Sequence, residues 1–298
     1  MIYLAHFGLR EPPFGITPDT SFYYACSSIQ DAMNTLLVAV ANGEGFIKVT
    51  GEVGTGKTLL CRKLLASLDE HWVSAYIPNP NLEPQTLLRA LVEELGVKVE
   101  GPQDQHHLLK ALNRTLLEYA RDKKRVLLCL DETQAMPLES LETLRLLSNL
   151  ETEKRKLLQV VLFGQPELDD KLKHNSIRQL RQRITFEHHL GTMTLEETEH
   201  YLVHRMQKAG YTGDAVFSPA AVRIIHRASR GVPRLINILA NKSLMLVFGE
   251  GGRKVGQSQA RAAIADTPSA SVYGSARSWA AFSGVCVIVA AFVWVLMR

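Results

Sequence analysis

The stretch Gly51–Thr58, GEVGTGKT, decides the fold of this chain. It fits the pattern G-x-x-x-x-G-K-[ST], and the apolar run from Phe46 to Thr50 before it is typical of a strand. A loop of this kind between a strand and a helix turns its backbone N–H groups inward, where they cradle phosphate oxygens. We therefore expect a phosphate-binding loop made of Gly51, Glu52, Val53, Gly54, Thr55, Gly56, Lys57, Thr58 and Leu59.

Two residues of this loop have distinct expected roles. Lys57 is expected to reach the β- and γ-phosphates of a nucleoside triphosphate, and the Thr58 hydroxyl to ligate Mg²⁺. The alternative is a glycine-rich turn without a ligand, which requires the pattern to occur by accident directly after a strand. The expected cofactors are therefore ATP and Mg²⁺.

A second apolar run, from Arg125 to Leu130, ends in two carboxylates, Asp131 and Glu132. We expect Asp131 to hold Mg²⁺ through water and Glu132 to orient and deprotonate the attacking water. The same two acids could instead cap a helix and complement the dipole of its first turn. The upstream phosphate loop favours the catalytic interpretation, and an acid beside the metal ligand indicates hydrolysis by water.

A polar residue also follows the next strand-like run, Leu157 to Phe163. Gln165 is a candidate sensor that contacts the γ-phosphate or the lytic water. The alternative is a turn residue before a helix that starts at Pro166.

Strand-like and helical runs alternate through the middle of the chain, with strands expected near 46–50, 72–77, 126–130, 157–163 and 183–188. This alternation predicts an α/β fold in which a parallel sheet lies between helices. After Gly191 only helical patterns follow. The predicted organisation is an N-terminal segment packed on the core (1–44), the α/β core (45–190), a small all-helical domain (191–265), a linker (266–278) and a membrane helix (279–297).

Several motifs together resemble a known family. The runs GEVGTGKT, LLCLDETQAM, GQPEL, LRQRI and GVPRLIN occur in the order and spacing of the AAA+ P-loop ATPases similar to ExeA/GspA of type II secretion. The resemblance covers residues 2–246, and within the family it is strongest to the ATPases of MSHA type IV pilus biogenesis. It implies an ATP hydrolase with a helical lid, an ATP-dependent homo-oligomer, and inner-membrane pilus or secretion assembly proteins as partners.

The resemblance also assigns roles to arginines. Arg183 in LRQRI stands where AAA+ proteins carry the arginine finger, which acts on the nucleotide of a neighbouring subunit. Arg181 and Arg178 lie close by, so the choice among the three stays open, and a basic helix face in water is the alternative for all of them. Arg234 in GVPRLIN matches the sensor 2 arginine of the lid, which contacts the bound triphosphate.

Composition sets limits on the partners and the compartment. The net charge is +4, with 34 Lys and Arg against 30 Asp and Glu, and no basic stripe typical of nucleic-acid binding stands out. Nucleic acid is therefore not expected as a partner. The four cysteines are widely spaced, which favours reduced thiols in the cytosol: Cys26, Cys61, Cys129 and Cys286.

Residues 279–297 are uncharged and are flanked by Arg277 and Arg298. As a helix they would extend about 28 Å, close to the roughly 30 Å hydrocarbon thickness of a bilayer. A buried core helix is the alternative. The start, MIYLAHFGLREPPF, lacks the pattern of a signal peptide. We therefore expect a single-pass protein of the bacterial inner membrane with its ATPase domain in the cytoplasm.

Two classes of function remain. The first is a membrane-anchored ATPase that drives or regulates assembly of a type IV pilus or type II secretion apparatus. The second is a DNA-associated AAA+ regulator of the transposition type, since such ATPases share these motifs. The apolar tail and the modest net charge favour the first class.

Overall fold

The computed structural model describes residues 2–99, 102, 104–147, 149–151 and 156–271. Five strands form one parallel sheet in the order β2-β3-β4-β1-β5. Their bounds are β1 Phe46–Gly51, β2 Trp72–Ile77, β3 Arg125–Leu130, β4 Gln159–Gly164 and β5 Ile184–Leu190. Every residue of β1 and β4 is buried, as expected for strands covered by helices on both faces.

Thirteen α-helices lie in the described part of the chain. They are α1 Leu4–Phe7, α2 Ser27–Asn42, α3 Lys57–Ala66, α4 Pro84–Glu94, α5 Gln105–Arg121, α6 Leu138–Leu147, α7 Glu167–Leu172, α8 Arg178–Arg181, α9 Leu195–Lys208, α10 Pro219–Ser229, α11 Pro233–Gly249, α12 Gln257–Ala265 and α13 Pro268–Ser271. Three 3₁₀ turns interrupt the loops: Thr20–Phe22, Thr133–Ala135 and Asn175–Ile177. The predicted α/β fold with a parallel sheet is confirmed.

The chain divides into two compact units. Residues 18–191 form the sheet unit, whose core lies between the sheet and helices such as α4, α5 and α6. An apolar cluster in this core draws on side chains from all three of these helices, among them Leu91, Leu112 and Leu144. This packing holds the carboxyl ends of the parallel strands at one edge of the sheet, the edge at which ligands bind in open α/β folds.

The described residues of 2–17 and 192–271 form the helical unit. The buried Tyr3 donates a hydrogen bond to Asn241 Oδ1, 2.5 Å away, and Arg205 donates to the carbonyl oxygen of Pro13. Helix α9 begins with a capping box in which Thr194 and Glu197 satisfy each other's backbone N–H groups. The N-terminal residues are therefore part of the core of this unit.

These contacts divide the segment 1–44 that the sequence predicts as one piece on the ATPase core. Residues 2–17 pack within the helical unit, while 18–44 belong to the sheet unit and contain α2. The start of the predicted linker 266–278 is also ordered, because Thr267 and Ala270 are buried and the Lys242 ammonium donates to Thr267 Oγ1 at 2.9 Å.

The predicted membrane helix over 279–297 lies outside the described residues. Within the residues that the structure describes, no helix combines the length and the apolar character needed to cross a membrane.

Candidate active site

The phosphate loop connects the end of β1 to the start of α3, and its glycines fit the path of the backbone. Gly54 and Gly56 adopt φ angles of 83° and 104°, a region that side chains disfavour. A Cβ atom on Gly51 would lie 2.9 Å from both Leu190 Cβ and Thr55 Oγ1. The first N–H groups of α3 have no acceptor within the helix, so they can donate to a phosphate in this loop.

Lys57, the first residue of α3, is only 5% exposed. Its ammonium donates to the carbonyl oxygens of Gly51 and Glu52 at 2.7 and 3.0 Å. Burial lowers its pKa, while the Glu132 and Asp131 carboxylates act in the opposite direction. The loop therefore holds a desolvated cation beside the atoms that would cradle a phosphate.

Asp131 follows β3 and meets the loop directly. Its Oδ2 accepts a hydrogen bond from Thr58 Oγ1 at 2.5 Å, and its Oδ1 accepts one from the Glu132 backbone N–H at 3.0 Å. The carboxylate is 2% exposed, and burial raises its pKa despite these two bonds. A carboxylate and a hydroxyl in contact are the oxygen ligands that Mg²⁺ prefers, so Thr58 and Asp131 fit that ion.

Glu132 has a left-handed backbone, with φ of 52°. A non-glycine residue in this conformation is uncommon and persists where its surroundings hold it. The Glu132 Oε2 atom accepts hydrogen bonds from two side-chain amides, Gln134 Nε2 at 2.6 Å and Gln165 Nε2 at 3.0 Å. The carboxylate is thus fixed beside Asp131 and the loop.

Gln165 follows β4, the strand between β3 and β1, which explains why it reaches Glu132. The helix α7 after it is fixed to the sheet by the buried Lys48 of β1, which forms ion pairs with Asp169 and with Glu187, at 3.0 Å in the latter case. The structure therefore brings Lys57, Thr58, Asp131, Glu132 and Gln165 together at one edge of the sheet.

Sequence reasoning missed two residues of this cluster. Gln134 bonds Glu132 and also accepts the Gln165 backbone N–H at 3.0 Å, and the buried Thr133 donates to the Phe163 carbonyl oxygen at 2.5 Å. Both residues follow the acids in the run LLCLDETQAM, but that position alone does not show that their side chains bond Glu132 and the end of β4.

The arginine Arg183 lies elsewhere. It directly precedes β5, so it stands at the amino-terminal edge of the parallel sheet, opposite the phosphate loop. Its guanidinium donates to Asn149 Oδ1 at 2.7 Å and is half-buried, whereas Arg178 and Arg181 of α8 are exposed. Arg183 is therefore not part of the cluster that its own chain forms.

Arg234 is exposed in the first turn of α11, in the helical unit. The preceding Gly231 has φ of 74° and packs so tightly that a Cβ atom there would lie 2.1 Å from the Met193 carbonyl oxygen. The Met193 N–H in turn donates to the Gly231 carbonyl oxygen at 2.9 Å. The glycine of the GVPRLIN motif thus fixes the start of the helix that carries Arg234.

Comparison with known proteins agrees with this geometry. The family model described as an AAA domain matches residues 40–172. General secretion pathway protein A of Aeromonas hydrophila is 39% identical over 254 residues, which cover 85% of this chain. The chain spans 46%, about half, of the length of that relative.

Solved structures share the fold at low sequence identity. Cdc6p of Pyrobaculum aerophilum aligns with a TM-score of 0.65 and 19% identity over 83% of this chain and 70% of that one. The ORC2 protein of Aeropyrum pernix aligns with a TM-score of 0.59 and 18% identity, over 84% and 72% of the two chains. The motifs, the parallel sheet and a relative that matches 85% of this chain support the same assignment. The chain belongs to the AAA+ P-loop proteins that resemble general secretion pathway protein A.

Proposed function

We propose that this chain is a membrane-anchored ATP hydrolase that drives or regulates assembly of a type II secretion apparatus or an MSHA-like type IV pilus. The main support for ATP hydrolysis is the 2.5 Å hydrogen bond from Thr58 Oγ1 to Asp131 Oδ2. The neighbouring Glu132 carboxylate is held in place by two side-chain amides. This arrangement joins a phosphate loop, an oxygen pair suited to Mg²⁺ and a carboxylate that can act as a base.

The residues divide the chemistry among themselves. The loop N–H groups and Lys57 bind the phosphates, and Thr58 and Asp131 would hold Mg²⁺, which would supply positive charge to offset that of the phosphate oxygens. Glu132 orients water and accepts its proton. Gln165, bonded to Glu132 and adjacent to the loop, contacts the γ-phosphate or the same water.

Arginines complete the site in this proposal. Because Arg183 precedes β5, it lies at the wrong edge of the sheet to reach the loop of its own chain. A role in a neighbouring subunit of an ATP-dependent homo-oligomer suits that position, with Arg178 and Arg181 as exposed alternatives. For Arg234, the resemblance of GVPRLIN to the sensor 2 motif alone supports the proposal that this arginine contacts the bound triphosphate.

The place of action rests on the relative and on the sequence. The general secretion pathway protein is named for secretion, and residues 279–297 have the length and apolar character of an inner-membrane span. The partners proposed are inner-membrane assembly proteins, with the ATPase domain in the cytoplasm. The ORC and Cdc6 structures share only the fold, so they do not favour the DNA-regulator alternative.

Nucleotide binding tests the site. Lys57→Ala is expected to lose binding of a fluorescent ATP analogue, because the buried ammonium that faces the phosphates is removed. Lys63→Ala, on the exposed face of the same helix, is the matched control and is expected to bind like wild type. Equal affinity in all three proteins contradicts the phosphate-loop assignment.

Fractionation tests the place of action. The full chain is expected in the inner-membrane fraction and, when purified in detergent with ATP, to bring down assembly proteins of a pilus or secretion apparatus. A full chain found in the soluble fraction and bound tightly to DNA at physiological salt supports the DNA regulator instead.

A further inference from the structure

We propose that Gln134 is a positioning residue for hydrolysis, which holds the Glu132 carboxylate in the orientation that it needs to activate water. The proposal rests on the hydrolase function proposed above. It starts from one side-chain amide, that of Gln134, which joins the candidate base to the residue that follows the neighbouring strand β4.

The amide of Gln134 makes a bond at each end. Its Nε2 donates to Glu132 Oε2 at 2.6 Å, and its Oε1 accepts the Gln165 backbone N–H at 3.0 Å. A hydrogen bond to a charged carboxylate is about twice as strong as one between neutral groups. Because the strand tip fixes one end of the amide, the other end fixes the carboxylate.

Two amides donate to the same carboxylate oxygen, and this decides which oxygen reacts. Gln134 and Gln165 both bond Oε2 of Glu132. Among the hydrogen bonds of the described residues, none occupies Glu132 Oε1. With Oε2 occupied by the two amides, Oε1 of Glu132 is left to accept the proton of water.

The two amides are not equivalent. The side chain of Gln165 has a second partner in the proposed mechanism, since it can turn to a phosphate oxygen. Gln134 is held through the Gln165 backbone instead, and the adjacent Thr133 is bound to the Phe163 carbonyl oxygen. Gln134 can therefore keep Glu132 in place while the Gln165 side chain contacts the nucleotide.

The competing explanation is that Gln134 has a purely structural role and only connects the Thr133–Ala135 turn to β4. Two substitutions separate it from a positioning role. Gln134→Glu keeps an oxygen that accepts the Gln165 N–H but replaces the donor to Glu132 with a second carboxylate. Gln134→Met removes both bonds at similar size. Gln105→Met, at the exposed start of α5, is the matched control.

The test measures kcat, ATP affinity and melting temperature of each variant in the full-length protein. We expect kcat to fall about 10- to 100-fold in Gln134→Glu and Gln134→Met, the range for one hydrogen bond to a charged group. ATP affinity should stay within about threefold, because the loop is untouched. In a Glu132→Gln background, neither substitution should lower kcat further.

The outcomes are separable. If kcat of both Gln134 variants equals that of wild type and Gln105→Met, or if it falls only in step with affinity and melting temperature, Gln134 has no positioning role. If wild type itself hydrolyses no ATP, the hydrolase and the positioning role fall together. A wild type that turns over and a Glu132→Gln variant that does not, alongside unaffected Gln134 variants, overturns only the inference about Gln134.

Discussion

Replacing Gly231 with alanine should destabilise the helical unit more than any other glycine substitution there. The added Cβ would lie 2.1 Å from the Met193 carbonyl oxygen, and real Cβ atoms do not come closer than 3.0 Å. The backbone must therefore move by about 0.9 Å. Such a movement breaks the hydrogen bond from the Met193 N–H to the Gly231 carbonyl oxygen.

Three costs contribute to the expected loss. A left-handed alanine costs about 1 kcal/mol, the lost hydrogen bond about 1 kcal/mol, and the overlap about 2 kcal/mol. The free energy of unfolding should fall by about 4 kcal/mol, which lowers the melting temperature by roughly 10 °C.

Two other glycines of the same unit separate these costs. Gly251 has φ of 69°, and no atom lies within 4 Å of the point where an alanine methyl group would stand, so Gly251→Ala reports the left-handed backbone alone, about 1 kcal/mol. Gly249 ends α11 and also has open space, so Gly249→Ala should be neutral or stabilising by up to about 0.5 kcal/mol.

Urea denaturation followed by circular dichroism, with calorimetry for the melting temperature, measures all three variants. We expect the loss of stability to increase in the order Gly249→Ala, Gly251→Ala, Gly231→Ala, with the largest step before the last. A Gly231→Ala protein as stable as Gly251→Ala would show that Met193 does not pack against this glycine, and the role given to the glycine of GVPRLIN would be wrong.

Three further predictions concern charge and location. Asp131→Asn should raise the free energy of unfolding by about 1 kcal/mol near neutral pH, because it removes a buried charge, and Mg²⁺-dependent ATP binding should be lost. Since burial raises the Asp131 pKa in the folded protein, the gain in stability is greatest above that pKa and disappears below the unfolded value of 3.8. Denaturation at pH 3 and at pH 7 measures this difference. Arg183→Ala should bind ATP normally and lose on the order of 10³-fold in turnover, and activity should partly recover when it is mixed with Lys57→Ala subunits. If no mixing ratio restores activity, the arginine-finger role falls to Arg178 or Arg181, which the same experiment can test. A chain that lacks 279–298 should keep its ATPase activity in the soluble fraction and fail to support apparatus assembly in the cell, whereas normal assembly by the truncated chain would remove the need for an anchor.

The sequence predicts the site well where its residues lie close together in the chain or directly after strands. The loop Gly51–Thr58 and the acids Asp131 and Glu132 stand where the strand pattern ends, so the parallel sheet itself brings them together. The strand ends differ from the prediction by only one or two residues. Strand β4, for example, starts at Gln159 because Leu157 donates instead to the Leu150 carbonyl oxygen.

The pattern of apolar and polar residues does not predict contacts between segments that are far apart in the chain. Tyr3 bonds Asn241 across 238 residues, so residues 2–17 join the helical unit although they precede the sheet unit in the chain. The sequence did not identify Gln134 as a site residue for another reason. Its importance comes from the position of its amide between Glu132 and β4, and a side-chain orientation has no periodic signal in the sequence.

The most direct test of the central claim is single-turnover hydrolysis of radiolabelled ATP by the wild type and by Glu132→Gln. The substitution keeps the shape of the side chain and its left-handed backbone but removes the group that accepts a proton from water. We expect Mg²⁺-dependent release of phosphate by the wild type, and an ATP complex of undiminished affinity in Glu132→Gln that releases phosphate at least ~10²-fold more slowly. Phosphate release at the same rate from both proteins would contradict the assignment of Glu132 as the base.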